Sequence, residues 1–190
     1  MDCIDFSNEK LAARRKFTYT ANHPQSWLDS AYELNLAAKV LRDKVEENWH
    51  SEKPFRECYL SPYYMLIGYA LEALLKGILV AKGYKCVIDS NFVGFGVNGH
   101  DLYGLANKAE LPISEEESRI LKLLTEHTTW AGRYPIATRW QNTYLINEND
   151  VVDTTITYCN ADLHQFDILI YRLNKMLEDL IWLRDEKNIT

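Results

Sequence analysis

The chain has 190 residues, of which 47% are hydrophobic and 25% are charged, a composition that favours one globular domain with a single buried core. Its net charge of −6 excludes a surface that holds nucleic acid by bulk attraction to phosphates, but it allows a local basic site. The four cysteines form no CxxC pair and no short metal-ligand spacing, so we expect free thiols in a reducing compartment.

An N-terminal arm of residues 1–24 comes first. A short helix over residues 7–17 carries a basic run at 14–16, which is typical of a solvated tail and less often of a phosphate contact. Charged residues are spread through the first twenty positions, where a secretory signal needs an apolar run. The sequence therefore predicts a cytoplasmic protein.

The first long helix is predicted over residues 26–50. It follows Pro24, and Ser26 with Asp29 forms a pair similar to a capping box. Apolar residues that recur at helical spacing predict the face turned to the core. These residues are Leu28, Tyr32, Leu34, Leu36, Val40, Leu41 and Val45.

A central buried helix is predicted over residues 61–82, with Ser61 as N-cap, Pro62 at the first helical position and Gly83 as its left-handed end. Between these ends only Glu72 and Lys76 are charged, and apolar residues face every direction. A membrane span is the competing interpretation, but each buried charge would cost about 2.5–3.5 kcal/mol in a bilayer, so we expect no membrane association. The large apolar circumference predicts a homodimer.

Residues 94–99 match the pattern GxGxxG of dinucleotide-binding proteins. That pattern works between a buried strand and a helix of a βαβ unit, whereas polar residues 89–91 precede it here. We expect no dinucleotide cofactor at this loop, and we interpret it as a mobile loop whose glycines allow unusual backbone angles.

The second half of the chain adds helices and one change of pattern. A short helix is predicted over 101–110, and a helix over 115–130 begins with a Ser114–Glu117 capping box. Residues 136–160 are rich in β-branched and aromatic side chains around a polar turn, which predicts a small β-hairpin. A last amphipathic helix covers 162–187. The sequence therefore predicts an all-α, up-and-down helical bundle over residues 1–190, with a small hairpin insertion.

Two groups of residues could bind a ligand. Glu72 and Lys76 are four residues apart and can pair on one helix face, either as a structural ion pair or as part of a site. The second group places guanidinium beside aromatic rings, which suits base stacking or a phosphate clamp but also a capped turn packed on the bundle. Its members are His100, Asp101, Trp130, Arg133 and Tyr134, of which Asp101 also suits a helix N-cap. No spacing typical of metal ligands occurs, so we expect no metal.

Four segments resemble HEPN-domain proteins, over about residues 60–135. They are GYALEALLKGILVAKG at 68–83, GHDLYGLANKAEL at 99–111, the helix start SEEES at 114 and WAGRYP at 130–135. The resemblance implies an up-and-down bundle and frequent homodimerisation. It also implies a role in RNA cleavage, in toxin–antitoxin or defence systems, or in non-catalytic binding of nucleotide or RNA.

Ribonuclease members of that family carry an arginine four to six residues before a histidine, whereas Arg119 and His127 are separated here by seven residues. The favoured hypothesis is therefore a non-catalytic HEPN-like module that binds a nucleotide, RNA or a partner protein. One alternative is a metal-independent ribonuclease with His127 as acid/base and Arg119 stabilising charge. The other alternative is a purely structural interaction domain.

Overall fold

The computed structural model describes residues 7–48, 53–131, 144–147, 150–153 and 160–189. Within these residues the chain forms six α-helices, a π-helical turn and two short antiparallel hairpins, which confirms the predicted all-α bundle with a small hairpin. In chain order they are α1 (Ser7–Ala21), α2 (Pro24–Glu47), α3 (Lys53–Ala81), β1 (Val87–Ile88), β2 (Asn91–Phe92), α4 (Leu102–Lys108), α5 (Glu115–Glu126), the π-turn (His127–Ala131), β3 (Tyr144–Asn147), β4 (Asp150–Asp153) and α6 (Asn160–Ile189).

Helix α3 is the centre of the bundle. It packs along α2 and also contacts α4, α5, α6 and the π-turn. Its window Tyr59–Ala81 is long and apolar enough to cross a bilayer, yet 72% of that window is buried within the fold, as in the core helix of a globular protein. Each fully buried large apolar side chain contributes roughly 1.5–3 kcal/mol. Such residues of α3 include Leu60, Ile67, Leu71, Leu74, Leu75 and Ile78.

The predicted start of α3 is wrong, because the helix begins at Lys53 and Pro62 lies inside it. Ser61 does not act as the N-cap, and its Oγ donates to the carbonyl oxygen of Ala131 at 3.0 Å. A proline inside a helix costs about 3 kcal/mol. Burial of Leu60 and Tyr63 on either side of the proline offsets that cost, since both are at most 1% exposed. The predicted end is confirmed, with Gly83 at φ +99°.

Helix α2 also begins two residues earlier than predicted. Pro24 occupies the first turn, His23 is the N-cap without a side-chain hydrogen bond, and Ser26 therefore lies inside the helix. The buried line of α2 consists of Ala31, Ala38 and Val45, at intervals of seven residues. Small residues along this line let α2 approach α3 closely.

Part of the predicted core face of α2 is wrong. Tyr32, Leu36 and Val40 are 60%, 45% and 64% exposed, whereas Leu28, Leu34 and Leu41 are packed against the core. The exposed three follow one another by four residues and so form one surface stripe. The stripe faces away from the core, because the buried alanines lie on the opposite side of α2.

Glycines on α3 set how closely its neighbours approach. A Cβ atom at Gly77 would lie 2.6 Å from Leu177 Cδ2 and 3.0 Å from Trp27 Cβ. A Cβ atom at Gly68 would lie 2.5 Å from Thr128 Cγ2. The distances of 2.6 Å and 2.5 Å are too short for a real Cβ and the distance of 3.0 Å is tight, so these glycines allow α2, α6 and the π-turn to pack against α3.

A hairpin that the sequence did not predict follows α3. Strands β1 and β2 pair antiparallel around Asp89 and Ser90, which have φ of 48° and 62°, as a two-residue hairpin turn requires. Asn22, at the corner between α1 and α2, fixes the hairpin: its Nδ2 donates to Val87 O at 2.8 Å, and its Oδ1 accepts from Cys86 N at 3.0 Å. Cys86 is a free, buried thiol, and burial raises its pKa.

The predicted caps of α4 and α5 are confirmed. Asp101 Oδ1 accepts from Gly104 N at 2.9 Å. Ser114 and Glu117 form the reciprocal capping box, with hydrogen bonds of 3.2 Å and 2.9 Å. The one hairpin that the sequence predicted, within residues 136–160, is confirmed. It consists of β3 and β4, which pair antiparallel from Tyr144↔Asp153 to Asn147↔Asp150.

Candidate ligand-binding site

The ion pair predicted on α3 is present and largely shielded from solvent. Lys76 Nζ donates to Glu72 Oε1 at 2.5 Å, and each of the two side chains is only 12% exposed. The spacing of four residues places them one above the other on the same face. A pair in such a setting must satisfy its remaining hydrogen-bonding capacity nearby, because leaving charge unsatisfied costs several kcal/mol.

His100 completes the cluster from outside the helix. Its Nδ1 lies 2.9 Å from Glu72 Oε2. An ionised carboxylate can only accept hydrogen bonds, so we assign the proton to Nδ1. The His100 side chain is 42% exposed, and Nε2 has no partner among the residues that the structure describes. The carboxylate of Glu72 thus holds a shielded ammonium on one oxygen and an accessible imidazole on the other.

Aromatic rings form the wall behind Lys76. Its Nζ lies 5.9 Å from the ring centroid of Trp27 and 5.4 Å from that of Phe95. These two rings contact each other edge to face, with centroids 5.5 Å apart. The cation–π contacts and the apolar surroundings keep the Lys76 ammonium in place against Glu72. On the other side of the cluster, the ring of Tyr69 lies 6.1 Å from that of His100.

The glycine-rich loop at 94–99 carries His100 to this position. Gly94 and Gly96 both have φ of +72°, so the predicted need for unusual backbone angles is confirmed. The interpretation as a mobile loop overlooked an anchor, because Phe95 between these glycines is 2% exposed. A Cβ atom at Gly99 would lie 3.7 Å from Lys76 Nζ, so the loop passes directly over the ion pair.

The second predicted group is only partly within the described residues. Asp101 is described and acts as the N-cap of α4, so its carboxylate is engaged by Gly104 N. The side chains of Trp130, Arg133 and Tyr134 lie outside the part of the chain that the structure describes, and their role stays a prediction. Of the seven predicted ligand-binding residues, the structure therefore brings three together: Glu72, Lys76 and His100.

Arg119 and His127 are placed in different surroundings. Arg119 is half-exposed and hydrogen-bonded to Glu116 and Asp162, and these contacts raise its pKa. His127 is fully buried with its ring 4.9 Å from that of Tyr64, and burial lowers its pKa to about 4. The eight helical steps from Arg119 to His127, at about 1.5 Å each, correspond to about 12 Å along the axis. The structure does not bring this pair to one surface.

Two residues of the site were missed by sequence reasoning. Trp27 and Phe95 are 68 positions apart, and only tertiary packing brings both rings to Lys76. Phe95 did carry a signal, because an aromatic residue between two glycines needs a place to bury its ring. Trp27 lay in the predicted helix beside Leu28 without any distinguishing pattern.

The cluster has the chemistry of a binding site. The described side chains contain no group of three His, Cys, Asp or Glu residues that could hold a metal ion. His100 can accept a hydrogen bond through Nε2 when neutral and donate one when protonated. Comparison with protein-family models, curated protein sequences and solved structures returned no match.

Proposed function

We propose that this protein is a non-catalytic HEPN-like module that binds a nucleotide or RNA at the cluster of Glu72, Lys76 and His100. The observation that carries the proposal is the shared carboxylate, which holds a shielded ammonium and directs a half-exposed imidazole outward. With a neutral imidazole the cluster has no net charge, and protonation of His100 gives it one positive charge. A phosphate oxygen at Nε2 can accept a charge-assisted hydrogen bond from the imidazolium.

The ribonuclease alternative has less support from the described side chains. General acid/base catalysis needs a histidine within hydrogen-bond reach of the substrate, and His127 is fully buried. Its pKa of about 4 keeps the ring neutral near pH 7. Arg119 is already engaged by two carboxylates, which would compete with a phosphate.

We also propose a homodimer, with a different surface from the one that the sequence suggested. The fold covers most of α3 with the chain's own helices. The exposed apolar stripe instead lies on α2, and Tyr32 of that stripe borders a groove of about 440 Å³ with Tyr171 of α6, which is 74% exposed. The stripe and Tyr171 together expose on the order of 400 Å² of apolar surface. A typical stable interface buries about 800 Å² per partner, so this apolar patch would supply about half of such an interface.

Calorimetric titration tests the binding proposal. We expect ADP or a single-stranded RNA oligonucleotide to bind saturably and the RNA to remain intact. His100→Ala should weaken binding at least tenfold, because the accessible hydrogen bond is lost. His164→Ala is the matched control, since His164 is exposed on α6 away from the cluster. Equal affinity of the His100→Ala variant and the unmodified protein, or no binding of either ligand, would contradict the proposal.

A further inference from the structure

A second lysine lies on the other side of the glycine-rich loop. Lys108, at the end of α4, places its Nζ 4.5 Å from the ring centroid of Tyr84. A Cβ atom at Gly96 would lie 2.6 Å from that same Nζ and 3.6 Å from the Tyr84 hydroxyl. The ammonium, the hydroxyl and the backbone of Gly96 therefore meet at one point on the surface.

The Lys108 ammonium has no ion-pair partner in the described part of the chain. No carboxylate oxygen of the described residues lies within 4.0 Å of its Nζ. The neighbouring lysines differ, because Lys76 is paired with Glu72 and Lys82 Nζ donates to Ala109 O at 2.5 Å. Lys108 thus keeps its three N–H donors for a ligand or solvent.

The loop beside Lys108 supplies further donors. Among the described residues, the backbone hydrogen bonds that border the loop are Val93 N to Cys86 O and Asp101 N to Asn98 O. The amides of residues 94–100 donate none to the described residues. Gly96 is exposed, and its φ of +72° is a conformation that glycine adopts without strain.

We propose that Lys108, Tyr84 and the Gly96 backbone form a phosphoryl-binding subsite. The inference rests on the proposed function and extends it by naming the group that the ligand must carry, a phosphate ester or pyrophosphate. Tyr84 stacks on Phe95 with ring centroids 5.5 Å apart, and Phe95 also contacts the Lys76 ammonium. Lys108 thus contacts one ring of this stacked pair and Lys76 contacts the other, so the aromatic pair connects the subsite to the cluster of Glu72, Lys76 and His100. A free nucleotide and the backbone of RNA share this chemistry.

The first test compares two lysines in the same kind of contact. Lys122 Nζ lies 4.7 Å from the ring centroid of Tyr103, so Lys122→Gln removes an equivalent cation–π lysine away from the loop. Calorimetry with pyrophosphate, ADP and an RNA oligonucleotide should show at least a tenfold loss of affinity for Lys108→Gln and less than a twofold change for Lys122→Gln. Pyrophosphate affinity that is unchanged in Lys108→Gln, or equally reduced in both variants, overturns the subsite.

The second test compares two glycines in the same backbone conformation. Gly94 and Gly96 both have φ of +72°, but a Cβ at Gly94 would meet only Phe92 Cε1 at 3.8 Å. Alanine therefore strains both positions alike, and only Gly96→Ala displaces the flexible end of Lys108. If the two variants have equal melting temperatures, the loss of pyrophosphate affinity in Gly96→Ala should be at least five times the loss in Gly94→Ala. Equal losses would show that the loop conformation matters and Lys108 does not.

The same titrations separate the two proposals. If His100→Ala weakens nucleotide binding while Lys108→Gln binds every ligand as the unmodified protein does, the subsite is wrong and the proposed function stands. If none of the ligands binds the unmodified protein, both are wrong. Binding of ADP without binding of RNA identifies a free nucleotide as the source of the phosphoryl group. Binding of RNA without binding of ADP identifies RNA as the source. Either result supports the subsite if the binding depends on Lys108.

Discussion

Among single residues, Glu72 supplies the carboxylate that allows the Lys76 ammonium to remain buried. Glu72→Gln keeps the shape of the side chain but leaves a largely buried ammonium without its counter-charge. We expect a loss of roughly 3 kcal/mol in the free energy of unfolding, measured by denaturant titration. The double variant Glu72→Gln/Lys76→Met removes both charges and should recover most of that loss. Equal stability of the single variant and the unmodified protein would contradict the buried pair.

His127 gives the protein a pH dependence of stability. Burial lowers its folded pKa to about 4 from the ordinary 6.5, so between these values the unfolded chain binds a proton that the folded protein does not. The free energy of unfolding should therefore fall as the pH decreases from about 6.5 and level off near 4. The contribution of His127 is on the order of 3 kcal/mol.

Comparison with His127→Gln isolates this contribution from that of the carboxylates, which titrate in both proteins. Denaturant titrations at pH 7 and pH 4 should show a smaller loss of stability in the variant than in the unmodified protein. An identical loss in both would mean that His127 is not kept neutral by the fold.

Single residues were predictable from the sequence only where their partners are local. The Glu72–Lys76 pair and the Asp101 cap follow from spacings of four and three residues, and both are confirmed. The contact between Glu72 and His100 spans 28 residues and depends on how the glycine-rich loop folds back over α3. No local pattern encodes that path.

At the scale of elements, the close approach of α2 and α3 depends on alanines. Ala38 is fully buried, whereas Ala37 beside it is exposed. Ala38→Leu should lower the free energy of unfolding by about 1–3 kcal/mol through overpacking, and Ala37→Leu should change it by less than about 0.5 kcal/mol. Thermal or chemical denaturation measures both variants; a similar effect at the two positions would mean that α2 faces α3 differently.

Helix boundaries show where local signals decide and where packing does. The Ser114 capping box and the Gly83 end were predicted correctly, because both are satisfied by neighbours in sequence. The Ser61–Pro62 signal was equally strong, yet the helix continues through it because Leu60 and Tyr63 are buried. The two-residue strands of the first hairpin are too short for any periodicity, so no pattern in the sequence indicated them.

At the scale of the whole molecule, the all-α bundle was predictable because its long helices carry apolar residues at helical spacing. Which side of α2 would be covered was not predictable. Apolar residues lie on more than one side of that helix, and only the assembled bundle shows that the alanine side faces the core while Tyr32 remains on the surface.

We expect the whole molecule to be a homodimer in solution. Analytical ultracentrifugation at micromolar concentration should give twice the chain mass of 22.1 kDa. Tyr32→Glu with Tyr171→Glu should shift the protein to the monomer, since two exposed aromatic rings would be replaced by like charges. Replacing exposed Trp182, which lies outside the groove between α2 and α6, by Glu is the control and should leave the mass unchanged. A monomer in the unmodified protein would exclude this interface.

The most direct test of the proposed function observes the His100 ring itself. The protein contains five histidines, and their ring nitrogens can be followed by NMR during titration with ADP or an RNA oligonucleotide. We expect the His100 resonances to move saturably, with Nδ1 remaining protonated toward Glu72, while those of buried His127 stay in place. Resonances of His100 that do not move at saturating ligand, or ligand-induced changes confined to the other histidines, would contradict it.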